Sequence, residues 1–396
     1  MSGPHALFLV ANARMPSQRA QSLQVAQVAA AFTRAGCATT LVHAARRDTP
    51  RVAPEELWAY YQAAGSGEAV PAVRAVGCVD WIDRVPRRLQ YFPARLQELS
   101  FARRAARYVA AAPDQAWVLS REIEVARALV RGGRRGVFLE VHRVPGGRTR
   151  RRWLAECAPA VAGVVAISGG VREDLLALGL GADAVRVEHD GFAPERFTAL
   201  PDKERARREL GLEPERPVVV YTGGLLEWKG VELLVEAARE LEGAQVVIAG
   251  GMDTDVARLR RAARGVEQVR FDGFQPPERV PLYLAAADVG VVPNRSRPAI
   301  SARYTSPLKV FEAMAAALPL VASDLPSLRE VLVHGEDAWL VAPDDPGALA
   351  AGVRVVLGDE ALRVSLGRRL GERAWEHTWD ARAKRLVDWM ASRAAG

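Results

Sequence analysis

Short apolar runs rich in β-branched residues alternate along this chain with longer stretches whose apolar positions recur at helical spacing. In the first half the runs are Ala6–Ala11, Thr39–His43, Ala116–Leu119, Gly136–Glu140, Gly163–Ile167 and Val185–His189, with helix-period stretches such as Ser22–Ala35 and Val171–Leu178 between them. The rhythm restarts in the second half with Pro217–Thr222, Val246–Gly250, Val269–Phe271, Val289–Pro293, Leu320–Ala322 and Trp339–Val341. Runs that are apolar throughout, rather than at every second position, predict strands buried on both faces, and intervening helices predict parallel connections. The pattern therefore predicts an α/β chain of two Rossmann-like, doubly wound parallel-sheet domains facing each other. The break is expected in the charged, proline-bearing stretch after Pro194. This places an N-terminal domain at 1–195, a linker with a short helix at 196–216, and a C-terminal domain at 217–377. Beyond Pro346 the chain reads as helical to its end, and helix 378–396 is expected to pack back on the first domain.

A length of 396 residues exceeds what one ordinary core organises, in keeping with two domains. No apolar run approaches the roughly 18 residues that cross a bilayer, and the start of the chain lacks the parts of a signal peptide. Three widely separated cysteines, Cys37, Cys78 and Cys157, make neither a disulfide framework nor a metal-ligand spacing, which points to a reduced, cytoplasmic protein. The net charge is +7, yet only Lys203, Lys229, Lys309 and Lys384 are lysines. So strong an arginine bias is simplest as a genomic effect, and it singles out the lysines that remain. Basic charge without a recognisable module does not imply nucleic-acid binding.

Two segments carry candidate chemistry. In Val218-Val-Val-Tyr-Thr-Gly-Gly-Leu-Leu-Glu-Trp-Lys-Gly-Val231 a strand ends in Gly223 and Gly224, with Lys229 just ahead of a helix. Glycines let a backbone approach a ligand and lysine offers a point charge to phosphate; an ordinary strand-to-helix turn with a solvated lysine reads the same way. In Tyr304-Thr-Ser-Pro-Leu-Lys-Val-Phe-Glu-Ala-Met314, Ser306 fits an N-cap and Pro307 the first helical position. Free amides at Leu308 and Lys309 would then face an anion with the positive end of the helix dipole. Lys309 is unfavourable there unless an anion is present. Glu312, one turn on, suits a sugar diol or, alternatively, a surface pair with Lys309.

In this order, YTGGLLEWKG, AAADVGVVP (Ala285–Pro293) and YTSPLKVFEAMAAALPLVASDLPSLREVL (Tyr304–Leu332) resemble the retaining glycosyltransferase family 4, the group 1 enzymes of GT-B fold. The resemblance extends through AISGGVREDLLALGL (Ala166–Leu180) and HDGFAPERF (His189–Phe197) to ARMPSQRAQSLQVAQVAAAF near the N-terminus, and so spans nearly the whole chain. It implies two Rossmann-like domains about a central cleft, with the nucleotide against the C-terminal domain. It implies that Lys229 neutralises the donor diphosphate, that Glu312 holds the ribose, and that Thr305, Ser306, Pro307 and Leu308 form the loop meeting phosphates and sugar. Phe274-Gln275 falls where the base rests.

Two positions depart from the family pattern. The usual arginine after the first glycine is Gly224, leaving Lys309, Arg303 or Arg295 to replace its charge. The first of the paired glutamates, eight positions before Glu312 and assigned to the transferred sugar, is Tyr304. In the N-terminal half, Phe138-Leu-Glu-Val-His142-Arg-Val-Pro145 puts a histidine just past a strand, where open sheets bind ligands. The resemblance makes His142 a contact of the transferred sugar, hence the candidate catalytic residue. On its own such a histidine is more often a structural hydrogen-bonder, and Glu140 reads as fold-stabilising. No cofactor or metal is expected, and the carboxylates of Asp253-Thr-Asp255, read as a loop, are taken as coincidental.

Between Arg84 and Arg107 there are seven arginines against one acid, interleaved with Leu89, Tyr91, Phe92, Leu96, Leu99 and Phe101, and Arg148–Arg152 forms a second basic run. Such segments suit an anionic membrane surface, so peripheral attachment at the inner membrane face is the expectation; a solvated arginine-rich face reads equally well. The loop Asn12–Ala20 is expected to face the acceptor. The leading function is transfer of a sugar from a nucleotide-diphosphate donor to a glycan or lipid-linked acceptor. The alternatives are a catalytically weakened nucleotide-sugar-binding partner protein, which Gly224 and Tyr304 favour, and a nucleotide-sugar epimerase, for which no poised carboxylate beyond Glu140 is evident. A nicotinamide dehydrogenase lacks its glycine fingerprint.

Overall fold

A computed structural model of the chain describes residues 5–17, 19–47, 49–50, 52–63 and 68–394. Gln18 of the Asn12–Ala20 loop lies outside the described residues, as does the side chain of Arg87 in the basic run. The chain divides into two compact units, Met1–Ile167 with Val171–Glu188 and Trp379–Gly396, and Ser168–Gly170 with His189–Thr378.

The first unit is built on seven strands: β1 (Ala6–Arg14), β2 (Ala38–Ala45), β3 (Ala72–Gly77), β4 (Trp117–Ser120), β5 (Val137–Val141), β6 (Gly163–Ala166) and β7 (Val185–Val187). They lie in the order β3-β2-β1-β4-β5-β6-β7, and every pairing is parallel. Strand β1 is central, with Leu7 opposite Thr39 on one side and Trp117 on the other. All six expected strands are present. The seventh, β3, was not anticipated. It is an edge strand in which only Val76 is buried, so it lacks the continuous apolar run that marks the others.

The helix Trp379–Ala394 completes this unit. Trp389 stands 5.7 Å from the Phe138 ring, and a Cβ built on Gly163 would come within 2.5 Å of it. A glycine in β6 is what lets the indole seat. On the same helix Arg382 is buried and donates to Glu140 Oε2 at 2.7 Å, while Asp380 accepts a forked pair of bonds from Arg34.

The second unit holds β8 (Val218–Thr222), β9 (Gln245–Ala249), β10 (Val269–Gly273), β11 (Val289–Val292), β12 (Leu320–Ser323) and β13 (Ala338–Val341), all parallel and ordered β10-β9-β8-β11-β12-β13. Residues of β8 alternate between two cores. Val218 and Val220 pack with Phe311 and Leu284, whereas Val219 and Tyr221 pack with Leu234, Leu259 and Val353. Burial on both faces is the cause of the unbroken apolar runs in the sequence. The helix Lys203–Leu210, capped by the Asp202 carboxylate and closed by a left-handed Gly211, lies in this unit, where Arg207 pairs with Asp288 at 2.5 Å.

Candidate functional site

Strand β8 is central in its sheet, and the turn after it opens at the carboxyl edge, the side on which parallel sheets bind ligands. Gly223 has φ of 124° and its N–H donates to Ala249 O, while the Tyr221 hydroxyl donates to Gly224 O at 2.7 Å. The turn then passes through Glu227–Lys229 into the helix Val231–Ala237. Gly230 is required at the junction: its φ is 68°, and a Cβ there would lie 1.9 Å from Pro293 O.

Two ammonium groups converge on this turn. Lys309 lies over the buried Tyr221 ring, 3.7 Å from its centroid, and a Cβ built on Gly223 would sit 3.7 Å from Lys309 Nζ. Its Nζ is buried with no hydrogen-bond partner among the described residues. Burial, and next the nearby Lys229 charge, hold the Lys309 ammonium well below its ordinary range. Lys229 Nζ lies 4.0 Å over the Trp228 ring, and burial brings it down to about 8. At Lys309 the Glu312 charge offsets this only in part, and keeping two like charges from water costs on the order of several kcal/mol. A protein tolerates this where an anionic ligand supplies the missing charge. The two lysines that seemed to belong to separate sequence motifs are thus one cluster.

The other candidate cations are engaged elsewhere. Arg295 faces Asp344 at 3.8 Å, and Arg303 lies 5.4 Å from the Tyr304 ring centroid and donates to Gly170 O at 3.5 Å. Glu312 accepts from Arg196 Nη2 at 2.7 Å, not from Lys309. The helix start is shifted from its expected position. Pro307 is the cap, with extended backbone, and Leu308–Ala315 is the helix; Ser306 Oγ instead accepts from Asp190 N at 2.7 Å. No side chain caps this helix, so its first amides remain available to a ligand. Thr305 is buried and donates to Ile300 O at 2.5 Å, and Phe274, just after β10, presents a largely exposed ring. Asp253 and Asp255 stand in the first turn of the helix Asp253–Ala262, not in a loop, and Asp255 faces Arg258 at 3.9 Å. Among the described residues no cluster of three or more His, Cys, Asp or Glu is placed to hold a metal.

In the first unit His142 follows β5, half-buried. Its Nε2 lies 2.8 Å from Glu140 Oε1 and 2.7 Å from Arg121 Nη2. Burial raises the Glu140 carboxyl, but Arg382, the His142 hydrogen bond and Arg121 outweigh it and hold that carboxyl well below the usual range. Glu140 is therefore an anionic anchor for the histidine and for the C-terminal helix.

Three residues of these sites had escaped the sequence reading. Arg196 and Arg121 are ordinary arginines in an arginine-rich chain, and only their folded partners distinguish them. Asn294, just past β11, is buried at 1% exposure with both amide atoms unpartnered among the described residues. Such a group costs about 1–3 kcal/mol unless a ligand or water satisfies it, and its place directly after a strand was the one available signal.

Residues 216–359 match the family model described as glycosyl transferases group 1. A D-inositol 3-phosphate glycosyltransferase of Corynebacterium jeikeium is 31% identical over 218 residues, covering 51% of this chain and 50% of that protein. The chain spans about half the length of the curated relatives it matches. Over the whole chain, the HepE protein of Anabaena, solved in complex with UDP, superposes with a TM-score of 0.75 at 18% identity, covering 98% of this chain and 100% of that one. Sucrose-phosphate synthase from Thermosynechococcus elongatus does so with a TM-score of 0.76 at 20% identity, covering 99% of both. Likeness at such identities establishes the fold, the pair of Rossmann-like units of GT-B structures. Residues 216–359 are thus similar to the group 1 glycosyltransferases, and the whole chain shares the fold of the GT-B structures.

Proposed function

We propose that the protein transfers a sugar from a nucleotide-diphosphate donor to a glycan or lipid-linked acceptor, with retention of anomeric configuration as in family 4. One observation carries the reading: Lys309 Nζ is buried beside Gly223 with no hydrogen-bond partner among the described residues, and the Lys229 charge is near enough to repel it. A diphosphate supplies two charges at once, and the uncapped amides of Leu308 and Lys309 add dipoles of the same sense. Structures of the HepE protein with UDP and with UDP-glucose support a nucleotide sugar, and make UDP-glucose the first donor to try.

In the proposed reaction the bond from the anomeric carbon to the diphosphate oxygen breaks, and its electron pair leaves with the diphosphate. The lysine pair stabilises that charge as it develops. An acceptor hydroxyl oxygen bonds the anomeric carbon on the same face through an oxocarbenium-like state, and its proton passes to the departing diphosphate. Glu312, exchanging its Arg196 partner, accepts from the ribose diol, and Phe274 stacks on the base. His142, anchored by Glu140, acts on the transferred sugar.

The test is thermal stabilisation of the full chain by nucleoside diphosphates, since ligand binding raises apparent stability by mass action, followed by release of nucleoside diphosphate from the matching sugar donor. The reading fails if no nucleoside diphosphate stabilises the protein. Binding without any turnover would instead favour a sugar-nucleotide-binding module, the reading to which Tyr304 lends support, because an aromatic ring facing Arg303 stands where the family has a carboxylate. His142→Ala is expected to spare nucleoside diphosphate affinity and to lower transfer at least tenfold. Equal loss of both would remove the catalytic assignment.

A further inference from the structure

A cavity of about 670 Å³ opens in the first unit between the helix Tyr91–Ala110, the end of β5 and the loop that leads into the helix Arg148–Cys157. Its size is that of a small-molecule site. Five arginines line it, Arg95, Arg121, Arg143, Arg148 and Arg150, together with His142. The carboxylate in its wall, Glu140, is already neutralised by Arg382, Arg121 and His142. Arg95 pairs with Glu98, and Arg95 and Arg150 share Glu124, whose side chain is 6% exposed and faces away from water. Arg143 and Arg148 have no carboxylate within ion-pair distance among the described residues.

Three further features fit an anion. The Arg121 guanidinium is 8% exposed and is held by Gln24 Oε1 at 3.2 Å as well as by His142, so one charge in the wall is fixed in place. The helix Arg148–Cys157 begins at Gly147, which offers no side-chain cap, and three of its first four residues are arginine with no acid among them. Cations at that end of a helix oppose its dipole unless an anion sits between them. Arginine forks match phosphate oxygens in bidentate geometry.

We infer that this cavity is an acceptor subsite for a phosphate group, so that the acceptor of the proposed transfer is a phosphate-bearing molecule. The inference rests on the transferase reading for the word acceptor, but the anion site itself does not. The arginine-rich run Arg148–Arg152 then serves to hold a substrate phosphate. The phosphate can belong to a soluble metabolite or to a lipid headgroup, and the two are separable by experiment.

The test uses the full chain carrying Lys229→Met and Lys309→Met, so that the second unit's cation pair takes up no anion. Two probes are applied, inorganic phosphate by calorimetry and phosphatidylcholine vesicles containing phosphatidic acid by co-sedimentation. Each is repeated after adding Arg143→Ala and Arg148→Ala, exposed residues whose removal leaves the core intact. Saturable phosphate binding that falls at least tenfold in the arginine variant supports the subsite and a soluble source. Vesicle binding alone, lost in that variant, supports the subsite and a headgroup source. Binding that survives the arginine substitutions, or no binding of either probe by the parent, overturns it. Nucleoside diphosphate binding by R143A/R148A in the chain with both lysines intact is measured in parallel. It stays unchanged if the donor reading holds, so failure of one assignment is told apart from failure of the other.

Discussion

Lys229 and Lys309 each place an ammonium where water is scarce, and each has a consequence that can be measured. With burial holding Lys229 at about 8, the free protein is protonated there below that pH, and a bound diphosphate raises the value. Above pH 8 binding must therefore take up a proton, and affinity falls by up to about tenfold per pH unit. Calorimetry between pH 7 and 9.5 in buffers of different ionisation enthalpy checks this, and a flat affinity over that range contradicts it. The linkage to stability has the opposite sense. Between about pH 8 and the unfolded lysine value the unfolded chain binds more protons, so the penalty is full below pH 8 and is relieved as pH rises. Lys229→Ala is expected to weaken nucleoside diphosphate binding more than tenfold. Lys309→Met removes an unpartnered buried cation, and is expected to raise the melting temperature while abolishing diphosphate binding. A melting temperature that drops would show that Lys309 serves the fold.

At the scale of elements, the helix Trp379–Ala394 contributes a fully buried arginine to the anchor of His142. Removing one partner of a buried ion pair costs about 3–5 kcal/mol when the other charge is stranded, and because Glu140 keeps Arg121 and His142 the lower end applies here. Arg382→Ala is expected to lose stability of that order in urea unfolding, and a loss under 1 kcal/mol would show that the pair is dispensable. The strands themselves were legible because burial on both faces imposes a continuous apolar run, as β8 shows with its residues divided between two cores. β3 was not, because an edge strand needs no such run. The helix over Leu308–Ala315 was legible, but its start was misjudged by one residue. Ser306 has the chemistry of a cap, and its hydroxyl is taken by Asp190 N, 116 residues away in sequence.

Over the whole molecule, the residues proposed to bind the donor lie in the second unit, whereas Glu140, His142 and the arginine-lined cavity lie in the first. Binding stabilises only the species that carries the site. If calorimetry resolves two unfolding transitions, saturating nucleoside diphosphate is expected to raise one, and Lys229→Ala to abolish that shift while leaving the other transition in place. A shift that persists in Lys229→Ala would move the binding site away from the Gly223 turn. The basic character of the chain acquires structure at this scale too. Many arginines pair with acids, as Arg127 and Arg131 do with Glu156, while Arg143 and Arg148 line a cavity.

The sequence alone determined the two parallel sheets and their strands apart from the edge strand β3, because period and burial are written in consecutive residues. It also placed the glycine turn, since φ above zero and close backbone approach leave few residue choices, and it singled out Lys229 as a candidate. Which charges meet was decided by the tertiary structure. Lys309 reaches Gly223 from a helix 86 positions later in the chain, Glu312 turns to Arg196 instead of to its own helix, and Glu140 is claimed by the C-terminal helix. Ion pairs depend on distances of a few ångströms between chain-distant groups. In a chain so rich in arginine, composition cannot say which cation finds an anion and which is left to wait for one.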